Sequence, residues 1–108
     1  MLKKRMRLKK TILKRSSELS TPYFNLKIQA NTEGGSRFGF IVSKKIDKRA
    51  TVRNRIKRVL RSCIEESLPK IKHGYDFLFI LKKEAVGKSR NDLCATVSLA
   101  LSQRSLIK

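Results

Sequence analysis

Residues 44–61, KKIDKRATVRNRIKRVLR, constrain the fold more than any other stretch of this chain. Read as a helix from about Thr51, the stretch divides into two faces, because its apolar side chains recur at the spacing of one helical stripe. Such a helix needs a core to cover one side and leaves the other side to solvent or a partner. The stripe consists of Val52, Ile56, Val59, Leu60 and Cys63.

The opposite side of this helix carries positive charge. Nine of the eighteen residues are Lys or Arg, and no acid occurs between Asp47 and Glu65. A face that is only solvated usually mixes charges of both signs at i, i+4, so this face favours a nucleic acid over solvent alone. Arg offers a planar fork to phosphate oxygens, Lys adds a point charge, and an Asn amide can meet a phosphate, a ribose or a base edge. The face consists of Arg53, Asn54, Lys57, Arg58 and Arg61, with Arg55 at its edge.

The whole chain is strongly basic, since 27 Lys and Arg against 8 Asp and Glu give its 108 residues a formal net charge of +19. A compact domain of that charge repels itself and is stabilised by a polyanion. No apolar run approaches the roughly 20 residues of a membrane-spanning helix, and no long apolar segment follows the basic N-terminus as a secretory signal requires. We therefore expect a cytoplasmic protein with no membrane partner, in which Cys63 and Cys94 are lone, small core residues.

Apolar spacing and turn residues predict the first half of the chain. Residues 1–10 are predicted to form a flexible basic arm, and a short helix capped by Thr11 is predicted to run through Glu18. Residues 24–30 alternate as a half-buried strand. A turn with two glycines then leads to a second strand over residues 37–43, which completes a predicted hairpin.

The second half of the chain is predicted in the same way. The basic helix ends before Pro69. Residues 75–81 form an apolar strand that is buried on both faces, and Asp76 within it is expected to be a turn or cap acid. Ser89, with Asp92 three residues on, is expected to cap a final helix. The apolar stripe of that helix is Leu93, Cys94, Val97, Ala100 and Leu101.

Two strings of this sequence resemble the signature of the bacterial ribonuclease P protein component. They are VSKK at residues 42–45 and RNRIKRVLR at residues 53–61. That family carries an RNR helix with a trailing KR and a further Arg, after a strand that ends in KK. Gly39 in the preceding strand and Asp76 in the following one also match its layout. The resemblance covers residues 37–81 and is weak at both ends.

The predicted fold is a single-domain α+β sandwich over residues 11–108. A small, mainly antiparallel sheet of about four strands packs with three helices in the order α-β-β-(β)-α-β-α. The bracketed strand follows from the resemblance, because that family forms three strands before the basic helix. A crossover between parallel strands is ordinarily right-handed, whereas the resemblance implies a left-handed crossover through the basic helix.

The resemblance implies a function as the protein subunit of ribonuclease P. In that family a large RNA is the catalyst and uses Mg2+ to remove the 5′ leader of precursor tRNA, while the protein binds that RNA and the leader. The residues themselves offer no recognisable catalytic base or metal-ligand spacing. The expected partners are ribonuclease P RNA and precursor tRNA, with one protein monomer per RNA. The alternative is a ribosomal or other structural RNA-binding protein with no role in cleavage.

The same resemblance assigns the site residues. RNA contact is implied for Lys44, Lys45, Arg53, Asn54, Arg55, Lys57, Arg58 and Arg61, and composition adds Arg49. The family usually carries leader-binding aromatic residues on its first helix, which residues 11–19 lack here. Aromatic residues on a sheet can stack on unpaired bases, although core packing is the alternative for Phe24 and Phe40. The leader candidates are Tyr23, Phe24, Phe38 and Phe40, with Lys27 for a leader phosphate.

Overall fold

The structure, a computed structural model, describes residues 17–31 and 34–106 of the chain. Its elements are β1 (Ser17–Ser20), β2 (Phe24–Ala30), β3 (Arg37–Ile41), α1 (Ala50–Ser67), β4 (Tyr75–Leu81) and α2 (Arg90–Gln103). Short 3-10 turns follow α1 and β4, at Leu68–Lys70 and Lys83–Ala85. The predicted arm at residues 1–10 and most of the predicted first helix lie outside the described residues. The described part is an α+β domain, as predicted.

The four strands form one mixed sheet in the order β1-β2-β4-β3. β2 pairs antiparallel with both β1 and β4, whereas β3 pairs parallel with β4. The predicted hairpin between residues 24–30 and 37–43 is therefore wrong, because β4 lies between these two strands. The apolar run of β4 explains this position, since a central strand covered by neighbours is the most buried one. The chain crosses over from β3 to β4 through α1, and the left-handed sense of this crossover stays a prediction.

β1 replaces the end of the predicted first helix, so the described residues contain two α-helices rather than three. Ser17 and Glu18 pair with Ile28 and Lys27 of β2. The turn between the strands is closed by Thr21, whose hydroxyl donates to the carbonyl of residue 24 at 2.7 Å and accepts from the N–H of residue 24 at 3.0 Å. A side chain that bonds its own backbone in this way favours a turn over a helix.

Both helices contribute to the core on one face of the sheet. Alternate residues of β2 and β4 point to this face and pack with the apolar stripes of the helices in a single core. The sheet supplies Phe24, Leu26, Ile28, Phe77, Phe79 and Leu81, and the helices supply Ile56, Leu60, Ile64, Leu93, Val97, Ala100 and Leu101. The two predicted stripes are confirmed as inward faces, and Ile64 is an addition to the first.

A disulfide joins Cys63 of α1 to Cys94 of α2. The expectation of two lone cysteines is therefore wrong. Each cysteine lies on the apolar stripe of its own helix, and the two stripes share one core, so the two side chains meet across the contact between the helices. The sequence shows the position of each cysteine on its helix but not that the helices are neighbours.

Asp76 is a buried residue of β4 and not a turn or cap acid. Its side chain is 1% exposed and forms an ion pair with Arg37 of β3. Arg37 donates from Nε and Nη2 at 2.8 Å each, and the Asn31 side-chain amide donates at 2.9 Å. A buried carboxylate with this many donors is well satisfied, and it fixes β3 beside β4.

The helix ends follow the sequence prediction. α1 ends at Ser67, and Pro69 lies in the 3-10 turn that follows. The Ser89 hydroxyl accepts from the Asp92 N–H at 3.2 Å at the start of α2. Local capping chemistry therefore sets these two boundaries.

Candidate nucleic-acid interface

The outward face of α1 presents the predicted cations. Ile56 and Leu60 are fixed in the core, which turns the opposite arc of the helix away from the sheet. α1 has no acid in its first turn, and the N-terminal end of a helix already carries partial positive charge. This face therefore suits an anionic partner. Its exposed members are Asn54, Arg55 and Arg58, and its half-buried members are Arg53, Lys57 and Arg61.

The segment between β3 and α1 places further cations beside this face. Val42 is buried and Ile46 packs against the core, and the Asp47 side chain is only 13% exposed. Lys44 and Lys45 are exposed, as the assignment requires. Lys48 is exposed as well, and the sequence assignment omitted it although it lies in the same basic stretch.

Two arginines of the assigned set are already engaged within the protein. Arg53 donates from Nη1 to the carbonyl oxygens of Asp47 and Lys48, both at 2.9 Å. Arg49, whose side chain is 70% exposed, donates to the Asp47 carboxylate from Nε at 3.1 Å and from Nη2 at 2.9 Å.

This ion pair changes the acidity of both of its members. The side-chain hydrogen bonds of Arg49, and then its backbone N–H, lower the pKa of Asp47 to about 2. The hydrogen bond to the Asp47 carboxylate raises the pKa of Arg49 above its usual value. Near neutral pH both groups are therefore ionised, and Arg49 has a carboxylate partner before any RNA binds.

Arg55 and Arg61 contact other parts of the fold. Arg55 donates from Nη2 to the Lys88 carbonyl at 3.2 Å. The Arg61 guanidinium lies over the ring of Phe40, with Cζ 5.7 Å from the ring centroid, which is a cation–π distance. A cavity of about 240 Å³ on the helix is lined by Arg58, Arg61, Ser62 and Glu65. The last of these is the first acid of α1, so the unmixed positive face ends there.

Two of the candidate leader contacts are core residues. Phe24 and Phe38 are 0% and 1% exposed. The Phe24 ring meets Phe79 edge-on with centroids 5.2 Å apart, and the Phe38 ring stacks on Phe77 at 5.1 Å. Neither ring offers a free face to a nucleotide base in this structure, so both residues belong to the core rather than to a leader-binding site.

The other three leader candidates do not form one cluster. Phe40 is half-buried beside Arg61. Tyr23 is half-buried at the same end of the sheet but on the other side of β4, with the Lys88 ammonium 5.7 Å from its ring centroid. Lys27 is half-buried and alternates with the buried residues of β2, so it lies on the sheet face opposite the helices, where its cross-strand neighbour Leu78 is buried.

Lys88 is a cation that the sequence assignment omitted. Its ammonium lies over the Tyr23 ring, and its carbonyl accepts from Arg55 although 33 residues separate the two. No local pattern in the sequence signals this neighbourhood, because it depends on how α1 packs beside the loop that precedes α2.

Within residues 17–31 and 34–106, no three His, Cys, Asp or Glu side chains are grouped so as to hold a metal ion. His73 is exposed in the loop before β4. Over the same two ranges, no helix has the length and apolar character needed to cross a membrane.

Sequence comparison identifies the family. The family profile described as Ribonuclease P matches residues 1–104. The chain belongs to the ribonuclease P protein family. The ribonuclease P protein component of Clostridium kluyveri is 32% identical over 101 residues, which cover 92% of this chain and 89% of that protein. The match to the Synechocystis sp. component is 39% identical over 72 residues and covers 67% of this chain. The chain spans 58% of the Synechocystis protein and 44% of a Microcystis aeruginosa relative.

Solved structures of ribonuclease P proteins share the fold. The Staphylococcus aureus protein has a TM-score of 0.83, with 95% of this chain and 98% of that chain covered at 23% identity. The Thermotoga maritima protein has a TM-score of 0.75, with 82% and 83% covered at 24% identity. These likenesses bear on the α+β architecture alone.

Proposed function

We propose that this chain is the protein subunit of ribonuclease P, which binds the catalytic RNA and the 5′ leader of precursor tRNA and assists Mg2+-dependent removal of that leader. Membership of the family implies a role in tRNA processing. The outward face of α1 is the observation that supports RNA binding. We place this activity in the cytoplasm, with one protein per RNA and no membrane partner.

The RNA contact is assigned to the cations of α1 and of the segment before it. Because the inner side of α1 is fixed in the core, its outward side chains project from a rigid backbone about one helical turn apart, and little ordering is needed on binding. Each cation that meets a phosphate releases condensed counterions, which strengthens binding at low salt. The assigned contacts are Lys44, Lys45, Asn54, Arg55, Lys57, Arg58 and Arg61.

Arg49 is retained as an RNA contact. Its side chain is 70% exposed, and the Asp47 carboxylate accepts from only two of its side-chain nitrogens. A guanidinium carries five N–H donors. Donors therefore remain for a phosphate that approaches from the solvent side.

Leader binding is proposed for the three candidates that are not fully buried. Phe40 stacks on Phe79 with ring centroids 5.4 Å apart and lies under the Arg61 guanidinium, so a base could stack there, next to the RNA contact, only if Arg61 moves off the ring. Lys27 is half-buried on the sheet face opposite the two helices, and its ammonium could meet a leader phosphate there. Tyr23 could stack on a base only if the Lys88 ammonium moves off its ring.

In this proposal the catalytic centre and its Mg2+ ions belong to the RNA, and no residue of this chain is assigned to a metal. The protein acts electrostatically. Two RNAs that approach one another repel through their phosphates, and a layer of fixed cations between them reduces this repulsion. The effect should be largest at low Mg2+, because Mg2+ screens the same charges.

Cleavage of precursor tRNA by the partner ribonuclease P RNA at low Mg2+ tests the proposal. We expect the protein alone to be inactive, and we expect its addition to restore 5′ maturation by the RNA. At limiting protein, Arg58→Ala should lower the restored rate about fivefold, as the loss of one phosphate contact near 0.15 M salt predicts. Lys70→Ala removes the same charge from an exposed residue after α1 and should change the rate by less than about twofold.

Two other outcomes would redirect the proposal. If the protein binds the RNA but leaves cleavage unchanged, the alternative of a structural RNA-binding protein takes its place. If the protein does not bind the RNA at low salt, both the ribonuclease P proposal and the structural alternative are wrong.

A further inference from the structure

We infer that Arg53 is a positioning residue, which holds the segment between β3 and α1 so that the lysines of this segment meet RNA in a fixed relation to the cations of α1. This inference rests on the proposed function, because it concerns how the same surface binds RNA. It assigns Arg53 a different role from its neighbours on the helix.

The Arg53 side chain contacts the backbone of the segment that precedes α1. Its Nη1 donates to the carbonyls of Asp47 and Lys48, each at 2.9 Å. Its backbone N–H donates to the Arg49 carbonyl at 3.2 Å. The Arg53 side chain therefore holds two successive carbonyl groups of the chain that leads into the helix, whereas its backbone bond to Arg49 is the ordinary i to i−4 bond of a first helical turn. Both N–H groups of Nη1 are thereby engaged by the Asp47 and Lys48 carbonyls, and a phosphate that displaced them would release the segment.

Asp47 completes the same arrangement from the other side. Its carboxylate accepts from the Arg49 backbone N–H at 2.8 Å and from the Arg49 side chain. α1 has no side-chain cap at Arg49, its N-cap residue. The Asp47 carboxylate thus satisfies one backbone N–H at the start of α1, whereas Arg53 donates to carbonyls that precede the helix.

The other end of the segment is held by the core. Val42 is buried and Ile46 packs against the core, and the Ile46 N–H donates to the Ser43 carbonyl at 3.1 Å. The segment is therefore fixed at residues 42, 46, 47 and 48. Lys44 and Lys45 lie on the exposed turn between these points.

Fixing the turn matters for affinity. Two lysines on a mobile loop lose backbone freedom when they bind, and this loss reduces what their charges contribute. Two lysines on a turn that is already held lose only side-chain freedom. Arg53 should therefore raise the contribution of Lys44 and Lys45 to RNA binding without touching the RNA itself.

A double-mutant cycle on the full chain tests this inference, with the dissociation constant for ribonuclease P RNA as the readout. Arg53→Lys keeps the charge, but the lysine side chain ends one bond short of Nη1, the nitrogen that donates to both carbonyls. Near 0.15 M salt, K44A/K45A should weaken binding about 20-fold in the natural chain, as two lost phosphate contacts predict, but less than about fivefold in the R53K background. K70A/K72A, a pair of exposed lysines after α1, is the charge-matched control and should have the same small effect in both backgrounds.

Asp47→Ala gives a second test, because the two explanations predict opposite changes in RNA affinity. If charge alone matters, removal of an acid from the basic surface should tighten RNA binding. If the turn must be held, the same change should weaken binding and speed amide exchange at Ile46 and Arg49. Thermal unfolding of each variant confirms that the domain is folded under the binding conditions.

The outcomes separate the inference from the proposed function. Equal effects of K44A/K45A in both backgrounds, or tighter binding by Asp47→Ala, would overturn the positioning role and leave the function intact. If K44A/K45A and Arg58→Ala both leave binding unchanged, the RNA-binding face itself is wrong, and the inference fails with it.

Discussion

The two long helices of this domain have similar inner faces and very different outer faces. Each buries an apolar stripe in the same core, and the Cys63–Cys94 disulfide joins them. α1 turns a row of cations outward, whereas α2 has no Lys or Arg between Arg90 and Arg104. The outward residues of α2 are instead small or neutral, as in Ala95, Ser98, Leu99 and Ser102.

This contrast separates the requirements of the fold from those of the function. α2 shows that a helix can pack on this core without a row of cations on its outer face, since its apolar stripe, the disulfide and the Arg90–Glu66 ion pair hold it there. The cations of α1 repel one another along the helix, which opposes folding. Their concentration on one helix of a protein with a net charge of +19 is therefore best explained by a partner that binds that helix.

The largest expected effect concerns the shared inner faces. Leu60→Ala in α1 and Leu101→Ala in α2 each empty a fully buried position, so each should lower the free energy of unfolding by about 2–5 kcal/mol. Urea denaturation measures this. Leu99→Ala, at a site that is 60% exposed on α2, is the matched control and should cost less than about 0.5 kcal/mol. A small loss for one buried leucine would mean that its helix does not share the core.

The disulfide gives the next largest effect. It closes a loop with a sequence separation of 31, so its loss in C63S/C94S should lower the free energy of unfolding by about 2–4 kcal/mol. RNA affinity at 25 °C should stay within about twofold of the natural chain, because the outward face of α1 does not include the disulfide. A dithiol reductant should destabilise the natural chain but not the double variant. A large loss of affinity in the folded variant would show that the two faces are not independent.

The smallest expected effect concerns the cap at the start of α2. Ser89 caps α2 through the Asp92 N–H, so Ser89→Ala should cost about 1 kcal/mol of stability. Ser98→Ala is the control, since this serine is exposed within the same helix and Ala is the better helix former. If Ser89→Ala and Ser98→Ala have the same effect on urea unfolding, the cap does not stabilise α2.

Local patterns predicted the elements of this fold but not all of their pairings. The spacing of Ile56 and Leu60, the alternation of β2 and the cap at Ser89 all depend on residues close in sequence, and each is confirmed. The hairpin partner of β2 was wrong because alternation shows which side of a strand is buried and not which strand lies beside it. The disulfide and the Arg37–Asp76 ion pair were not predicted for the same reason, since both join elements that are distant in sequence.

The same limit applies to the candidate site. Helical periodicity placed Arg53 and Arg58 on one outward arc, but it gives only the direction of a side chain. Arg53 reaches back to the carbonyls of residues 47 and 48, which depends on how the preceding segment folds. Phe38 was a candidate for base stacking, yet its position in β3 beside β4 makes it a core residue. The cationic face was predictable because it lies on one continuous helix.

The salt dependence of binding to ribonuclease P RNA tests most directly whether the outward face of α1 is a defined binding site. K57A/R58A removes two cations from the outward face of α1, and K70A/K72A removes two exposed cations after it. We expect K57A/R58A to reduce the slope of log affinity against log salt by about 1.4–1.8, or roughly 0.7–0.9 per phosphate. The control pair should leave the slope nearly unchanged. Equal slope changes for the two pairs would show that RNA responds to the total charge of the protein, and that the outward face of α1 is not a defined binding site.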